Sequence, residues 1–380
     1  MHVSAINWGV RMARPAAASR SRREHRPPGI PSVASKRRGT APIFSSSLGI
    51  GVTAAAAAVL LAGACRTFYW PRSVSHGSLT AVSSSASQSP SPSPPAGEEH
   101  QATLGVLNAP VYSYQLHDTH VHDTDSFTQG LLSIGRGQFL ESSGGFGDST
   151  IRRFTLGQRK ADQKELLPGT LFGEGIEIVG DKLYQITWLS EQGLIYDAAT
   201  LQLTGEWKYK GAGWGLAYVP ELGTLFMSNG TSLLTRFDPQ SLEPLASNPH
   251  VRVFDGPNEI HLLNDMQYVR GELWANIFGS MLVARIDPAT GKVNSWVDFT
   301  GILRQEHMVG HENVKLDVFN GIAFDDATGH AFVTGKRWPV LFEVSVRNDH
   351  PYSKSRKQQL QPFFLYPERL ARVQRAVGTA

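Results

Sequence analysis

The sequence predicts an all-β fold, a five-bladed β-propeller, and three observations predict it. Short apolar runs bounded by Gly, Asp and Pro fill residues 110–346, where helical periodicity is absent. Laid under one another, the runs form five copies of one unit: an inner run, a turn, a second run and then a third. Counted from Gly130, Gly175, Gly215, Asp265 and Gly321, the copies are 45, 40, 50 and 56 residues apart. A period of about 40–50 residues with about four strands per unit is the mark of a propeller blade. A sandwich of similar strands is the competing architecture, and the fivefold register counts against it.

The elements follow in chain order. Residues 1–47 form a basic leader, Arg-, Ser-, Ala- and Pro-rich, expected to be disordered. Residues 48–65 (Leu48 to Cys65) carry no charge, which is the lower length limit for a membrane-spanning helix. Lys36, Arg37 and Arg38 precede this segment and would keep the N-terminus cytoplasmic as a signal anchor. A cleaved signal peptide, with Ala62-Gly-Ala64 as a cleavage motif, and an organellar transit peptide remain open readings. Cys65 is the lone cysteine, so an intramolecular disulfide is excluded; lipidation and a plain apolar role are both open. Residues 66–104 form a stalk whose low-complexity Ser/Pro stretch, residues 82–97, cannot bury a core.

The propeller is expected over residues 105–346. Its units open on Thr128-Gln-Gly130, Gly173-Glu-Gly175, Gly213-Trp-Gly215, Leu263-Asn-Asp265 and Phe319-Asn-Gly321. The fifth unit lacks a strand, because little strand-like sequence follows Val346. The run Val111–Leu116, ahead of the first unit, is expected to supply it, closing the ring and removing an exposed edge. The basic tail, residues 347–380, is expected to be partly disordered.

Charge limits the functional classes. The net charge of +3 conceals a leader at +10 (residues 1–97), a body at −12 (residues 98–346) and a tail at +5 (from Arg347). An acidic body argues against nucleic acid as a partner, since phosphate binding needs a basic face.

In a propeller the innermost strands converge on the axis, so equivalent residues from all blades share one mouth. The residue before each recurring glycine position reads Gln129, Glu174, Trp214, Asn264 and Asn320. The second strands end in another ring: Glu141 or its neighbours, Trp188, Asn229, Phe278 and Lys336. Converging polar groups with a carboxylate and aromatic walls fit a small-ligand site. Each has a plainer reading. The indoles of Trp188 and Trp214 would pack blades, the amides would cap strands or hold water, and Glu174 would bridge to Lys336. His117, His120 and His122 with Asp123 and Asp125 suggest a metal, but their loop spacing matches no standard site. Asn229-Gly-Thr231 is a glycosylation sequon whose expected place in the channel argues against occupancy.

Ser126-Phe-Thr-Gln-Gly130, Leu171-Phe-Gly-Glu-Gly175, Gln185-Ile-Thr-Trp188, Gly213-Trp-Gly215, Leu263-Asn264, Trp274-Ala-Asn276, Asp317-Val-Phe-Asn-Gly321 and Val333-Thr-Gly-Lys336-Arg-Trp-Pro339 together resemble the plant-type glutaminyl-peptide cyclotransferases, in order and spacing, over about residues 111–346. The resemblance implies a five-bladed propeller that converts N-terminal glutamine to pyroglutamate with release of ammonia. It implies Glu174 as the catalytic carboxylate and Phe127, Gln129, Phe172, Trp188, Trp214, Asn264 and Lys336 as its supporting residues. Where the family carries Trp after Ala-Asn-Ile, this chain has Phe278, which keeps an apolar wall and loses an indole N–H.

Those residues suit the chemistry. A neutral α-amine must attack its own γ-carbonyl, and aromatic walls would hold the folded conformer. Glu174 would carry the proton from amine to leaving ammonia. Gln129, Asn264 and Lys336 would face the developing oxyanion. No cofactor or metal is expected. The expected partners are peptides with N-terminal glutamine, the membrane through residues 48–65 if the anchor is retained, and no second copy of the chain. The body would then be lumenal or extracellular, with organellar targeting as the other course. Two alternatives stand: a Ca²⁺-dependent, lactonase-like hydrolase using Glu174, Asn264, Asp265 and Asn320 as oxygen donors, and a silent peptide-binding propeller.

Overall fold

A computed structural model of the chain describes residues 105–377 with the exception of Gln361. The leader, the apolar segment and the stalk fall outside the described residues. Five antiparallel sheets account for the expected blades. The first blade comprises Thr128–Ser133, Gln138–Ser143, Thr150–Thr155 and Gln163–Leu166. The second comprises Gly173–Val179, Lys182–Thr187, Gln192–Asp197 and Leu203–Lys208. The third comprises Leu216–Val219, Thr224–Met227, Leu233–Phe237 and His250–Arg252. The fourth comprises Leu263–Val269, Glu272–Ile277, Leu282–Ile286 and Val293–Asp298.

The fifth blade holds Phe319–Asp325, His330–Gly335 and Val340–Val346, and an N-terminal strand closes it as expected. That strand is Tyr114–Val121, later in the chain than the predicted Val111–Leu116. Val111–Tyr112 instead pairs in parallel with Trp296–Val297 of the fourth blade. The histidines predicted to lie in a loop are largely strand residues. His117 and His120 sit on the closing strand, where His120 and His330 share Glu343. Among the described residues, no cluster of three or more His, Cys, Asp or Glu is arranged to hold a metal ion.

Local sequence explains the hairpins. Arg270-Gly271 joins Val269 to Glu272 with φ of 47° and 92°, a two-residue turn whose twist matches that of its strands. Alternate residues then face the neighbouring blades. Phe139 of the first blade meets Phe332 of the fifth edge-on at 4.9 Å, and Phe299 meets Phe319 at 5.4 Å. Each such buried ring contributes about 1.5–3 kcal/mol.

At the hub the inner strands are irregular. Their ladders slip between Thr128 and Gly130, Gly173 and Ile176, Leu263 and Met266, and Phe319 and Ile322. A bulge releases consecutive residues from the ladder and re-aims their side chains. It also brings backbones together: a β-carbon on Gly215 would lie 2.0 Å from the Asn264 carbonyl oxygen and 3.0 Å from the Asp265 α-carbon. The conflict is with backbone, which cannot swing aside. Gly215→Ala is therefore expected to cost about 1–3 kcal/mol, read as a lower urea midpoint at unchanged slope.

The tail departs from its expectation of partial disorder. It holds helix α1 (Lys354–Leu360), a 3₁₀ turn (Phe363–Leu365) and helix α2 (Pro367–Val377). Phe364, Val373 and Val377 are buried in one cluster with Trp296. None of the described helices is long and apolar enough to cross a membrane.

Candidate active site

The bulges converge on one polar hub walled by aromatic rings. Glu174 follows Gly173 at the start of its strand. The Gly173 N–H donates to Ser149 Oγ at 2.9 Å, and the Gly175 N–H donates to the Trp214 carbonyl at 2.9 Å, which welds the second blade to the third. The carboxyl is 5% exposed and accepts from Gln129 Nε2 at 3.2 Å. Burial pushes its pKa well above the ordinary carboxylate range; Lys336 pulls it back and Asp265 adds to the rise.

Lys336 is placed by the end of its blade. Its N–H donates to the Val318 carbonyl at 2.9 Å, and its own carbonyl accepts from Asp317 at 3.0 Å. The ammonium lies 4.9 Å from the Phe127 ring centroid and 5.6 Å from that of Phe278. Among the described residues no carboxylate comes within 4.0 Å of this ammonium, so the structural bridge to Glu174 is not formed. The cation acts on Glu174 through space.

Five aromatic residues expected here are brought together. Phe127 meets Phe172 edge-on at 6.2 Å, Phe172 meets Trp188 at 5.7 Å, and Trp214 meets Phe278 at 5.6 Å. Two glycines make this possible. A β-carbon on Gly144 would lie 2.3 Å from the Phe172 ring, and one on Gly230 would lie 2.8 Å from the Trp214 indole. All five belong to one apolar cluster.

The amides divide by role. Asn320 Nδ2 donates to the Thr128 and Gln129 carbonyls at 3.1 and 3.4 Å, tying the fifth blade to the first. Gln129 Oε1, Asn264 Oδ1, Asn320 Oδ1 and Trp214 Nε1 are buried without a hydrogen-bonding partner. Buried polar atoms are ordinarily satisfied, because leaving one unpaired costs about 1–3 kcal/mol. These four atoms are left free to meet the polar groups of a ligand.

Two expected members lie elsewhere. Glu141 does not reach the hub. It is fully buried within its strand, accepting from Ser126 Oγ and Thr128 Oγ1 at 2.6 Å each and from Arg152 Nε at 2.7 Å, beside His122 Nε2 at 3.2 Å. The first-blade counterpart of Trp188 is Gly144, whose N–H donates to the Phe127 carbonyl as Trp188 donates to that of Phe172. The register is offset there by three residues. Asn229 is engaged in its own turn, its Oδ1 accepting from the Thr231 N–H at 3.1 Å and from Thr231 Oγ1 at 2.6 Å.

Sequence reasoning also missed contributors. Phe146 packs on Phe172 at 5.3 Å from a loop with no strand register to reveal it. Asn276 Oδ1 accepts from the Gly321 N–H at 3.1 Å. Asp265 was noted only as an oxygen donor. It is buried and accepts from the Ile322 N–H at 2.9 Å, and burial pushes its carboxyl well above the usual range. The available signal was that Asp265 is the sole non-glycine at the recurring hub position. Glu177, also buried, is pushed up to about 7 by that burial despite the N–H donors of Tyr218 and Ile178.

The chain is similar to known proteins of one family. A family model described as glutamine cyclotransferase matches residues 86–346. A glutaminyl-peptide cyclotransferase of Arabidopsis thaliana is 37% identical over 227 residues, which cover 60% of this chain and 69% of that protein. The crystal structure of Myxococcus xanthus glutaminyl cyclase aligns with a TM-score of 0.57 at 31% identity, covering 64% of this chain and 100% of that one.

Proposed function

From the premise that the chain belongs to the glutamine cyclotransferase family, we propose that it cyclises the N-terminal glutamine of peptides and proteins to pyroglutamate and releases ammonia, with Glu174 as the proton carrier. The observation that supports this most directly is the buried Glu174 carboxyl, held by Gln129 among unpartnered polar atoms inside an aromatic wall.

The reaction needs a base that becomes an acid. The α-ammonium reaches its neutral form by losing a proton to solvent, and burial raises the Glu174 carboxyl well above the ordinary carboxylate range, which makes its carboxylate a stronger base toward the amine's next proton. The neutral amine attacks the γ-carbonyl carbon and forms the five-membered ring, and its nitrogen gives up one proton to the Glu174 carboxylate as the new bond forms. As the C–N bond to the side-chain amide breaks, Glu174 returns its proton to the departing nitrogen, and ammonia leaves. The carbonyl oxygen gains negative charge during attack. The Lys336 ammonium and the unpartnered Trp214 indole N–H are the donors assigned to it, and the Asn264 amide is the third candidate. Phe127, Phe172, Trp188, Trp214 and Phe278 hold the folded substrate and exclude water. This raises the effective concentration of amine at the carbonyl.

The test is incubation of the protein with a Gln-initiated dipeptide and its Asn-initiated analogue. Equimolar ammonia and pyroglutamyl product from the first alone, undiminished by EDTA, is the expected result. Loss of ammonia release on chelation would favour the calcium-dependent reading instead. We also infer a membrane-anchored or secreted monomer, from the apolar segment at residues 48–65 and the basic cluster before it. N-terminal sequencing and the solution mass of the mature protein check both points.

A further inference from the structure

The family match ends at Val346, and the helical tail lies beyond it. The tail is seated on the fourth blade at several points. The Tyr352 N–H donates to the Val111 carbonyl at 2.7 Å, and its hydroxyl donates to Asp298 Oδ2 at 3.1 Å. Lys357 Nζ donates to the Asn108 and Ala109 carbonyls at 3.0 and 3.1 Å. Phe364 packs against Trp296 at 5.7 Å.

Two further contacts reach the aromatic wall of the site. Phe363 lies against Gly279, which follows Phe278; its ring would be 3.4 Å from a β-carbon placed there. Gln374 Nε2 of α2 donates to His261 Nδ1 at 3.3 Å, next to Leu262. Leu262 joins the two halves of the wall. Its N–H donates to the Gly230 carbonyl under the Trp214 indole, and its own carbonyl accepts from the Phe278 N–H, both at 2.8 Å. It does so at φ +65°, a left-handed conformation that is strained for a leucine and persists only where surrounding structure over-determines it. The tail touches the chain on both sides of this joint.

We propose that the C-terminal segment, residues 352–377, is a positioning element for the reaction, with Phe363 and Gln374 holding the Leu262 joint and so fixing the spacing of the Trp214 and Phe278 walls. This rests on the reading of the site given above. The tail does not touch the reacting atoms. It sets how well the pocket receives the glutamine side chain, and so acts on substrate binding and not on proton transfer. The segment would serve the same role for any peptide with an N-terminal glutamine.

The experiment uses the full chain with Phe363→Ala, the bulk-retaining Phe363→Leu, and Gln374→Ala. Steady-state kinetics on a Gln-initiated dipeptide are run beside amide hydrogen exchange. The expected result is a KM raised about tenfold in Phe363→Ala and several-fold in Gln374→Ala, with kcat held within about twofold and an unshifted pH profile. Phe363→Leu restores most of the binding. Exchange accelerates in peptides covering residues 260–280 and stays unchanged in the first blade, residues 138–155. If Phe363→Ala does not fold, Phe363→Leu and Gln374→Ala carry the same readouts. Unchanged KM in an active protein, or unchanged exchange over residues 260–280, overturns the proposal. A wild-type protein that releases no ammonia refutes the reading of the site instead, and the exchange measurement still decides whether the tail braces the wall.

Discussion

Replacing Glu174 by Gln lowers kcat on a Gln-initiated peptide by about 10²–10⁴-fold, the usual size of a general acid–base contribution. The substitution keeps the volume and leaves an amide oxygen to accept from Gln129 Nε2. It removes only the ability to exchange a proton. Stability moves the other way. The folded-state pKa of Glu174 is raised above its unfolded value, so its contribution to stability is present below about 4.5 and lost as pH rises through the raised folded value. Above that value the native protein carries an ionised carboxylate in a desolvated hub, a cost that glutamine does not have. The variant should therefore match or exceed the wild type in thermal midpoint at pH 8 while keeping only residual activity. In the wild type the acid limb of kcat/KM should lie above the ordinary carboxylate range, and Glu174→Gln should abolish that limb with the activity. Near-normal ammonia release from a folded variant would remove Glu174 from the mechanism.

Arg152→Met should cost about 3–5 kcal/mol of stability, because it strands a buried carboxylate. Glu141 is fully buried and bonded to both Nε and a terminal nitrogen of Arg152, whose other terminal nitrogen reaches Asp123 at 2.6 Å. Burial raises the Glu141 pKa, but Arg152 and His122 outweigh it and hold the group well below the usual range. Such a depressed group contributes stability above the unfolded carboxylate value and loses it only as pH falls through the lower folded value. The wild type thus keeps this contribution into strongly acid solution. Without the guanidinium the burial penalty is opposed only by His122 and the Ser126 and Thr128 hydroxyls, and the stability of the variant should decline with rising pH. Urea midpoints between pH 4 and 8 test this, and the double variant Glu141→Gln with Arg152→Met should recover part of the loss. Equal midpoints for Arg152→Met and wild type would show that the pair is not needed. Ser126 and Thr128, held by the same carboxylate, flank Phe127 and Gln129, so the defect should also reach the hub.

The repeat made much of the site legible. Once Gly130, Gly175, Gly215, Asp265 and Gly321 are aligned, the preceding residues must occupy equivalent places in five blades, and the structure puts Gln129, Glu174, Trp214 and Asn264 among its buried residues. The resemblance added Phe127 and Phe172, which the fivefold alignment did not single out. The error at Glu141 has a definite cause. The register shifts between Thr128 and Gly130, and the second strand of that blade ends at Ser143, so its wall position falls on a glycine. A glycine carries no hydrophobic signal, and its role appears only as the space that the Phe172 ring fills.

The sequence alone determined the blade count, the closing of the ring by an N-terminal strand, and the lone acid among amides and indoles at one repeat position. These follow from period and alternation, which are local properties that any strand of a sheet must obey. Tertiary structure decided which N-terminal residues form that closure, that the tail folds against the fourth blade, that Glu141 pairs with Arg152, and that the Asp265 carboxylate receives the Ile322 N–H of the next blade. Those depend on which distant backbones meet and on how much water their meeting removes. No one-dimensional pattern records either quantity.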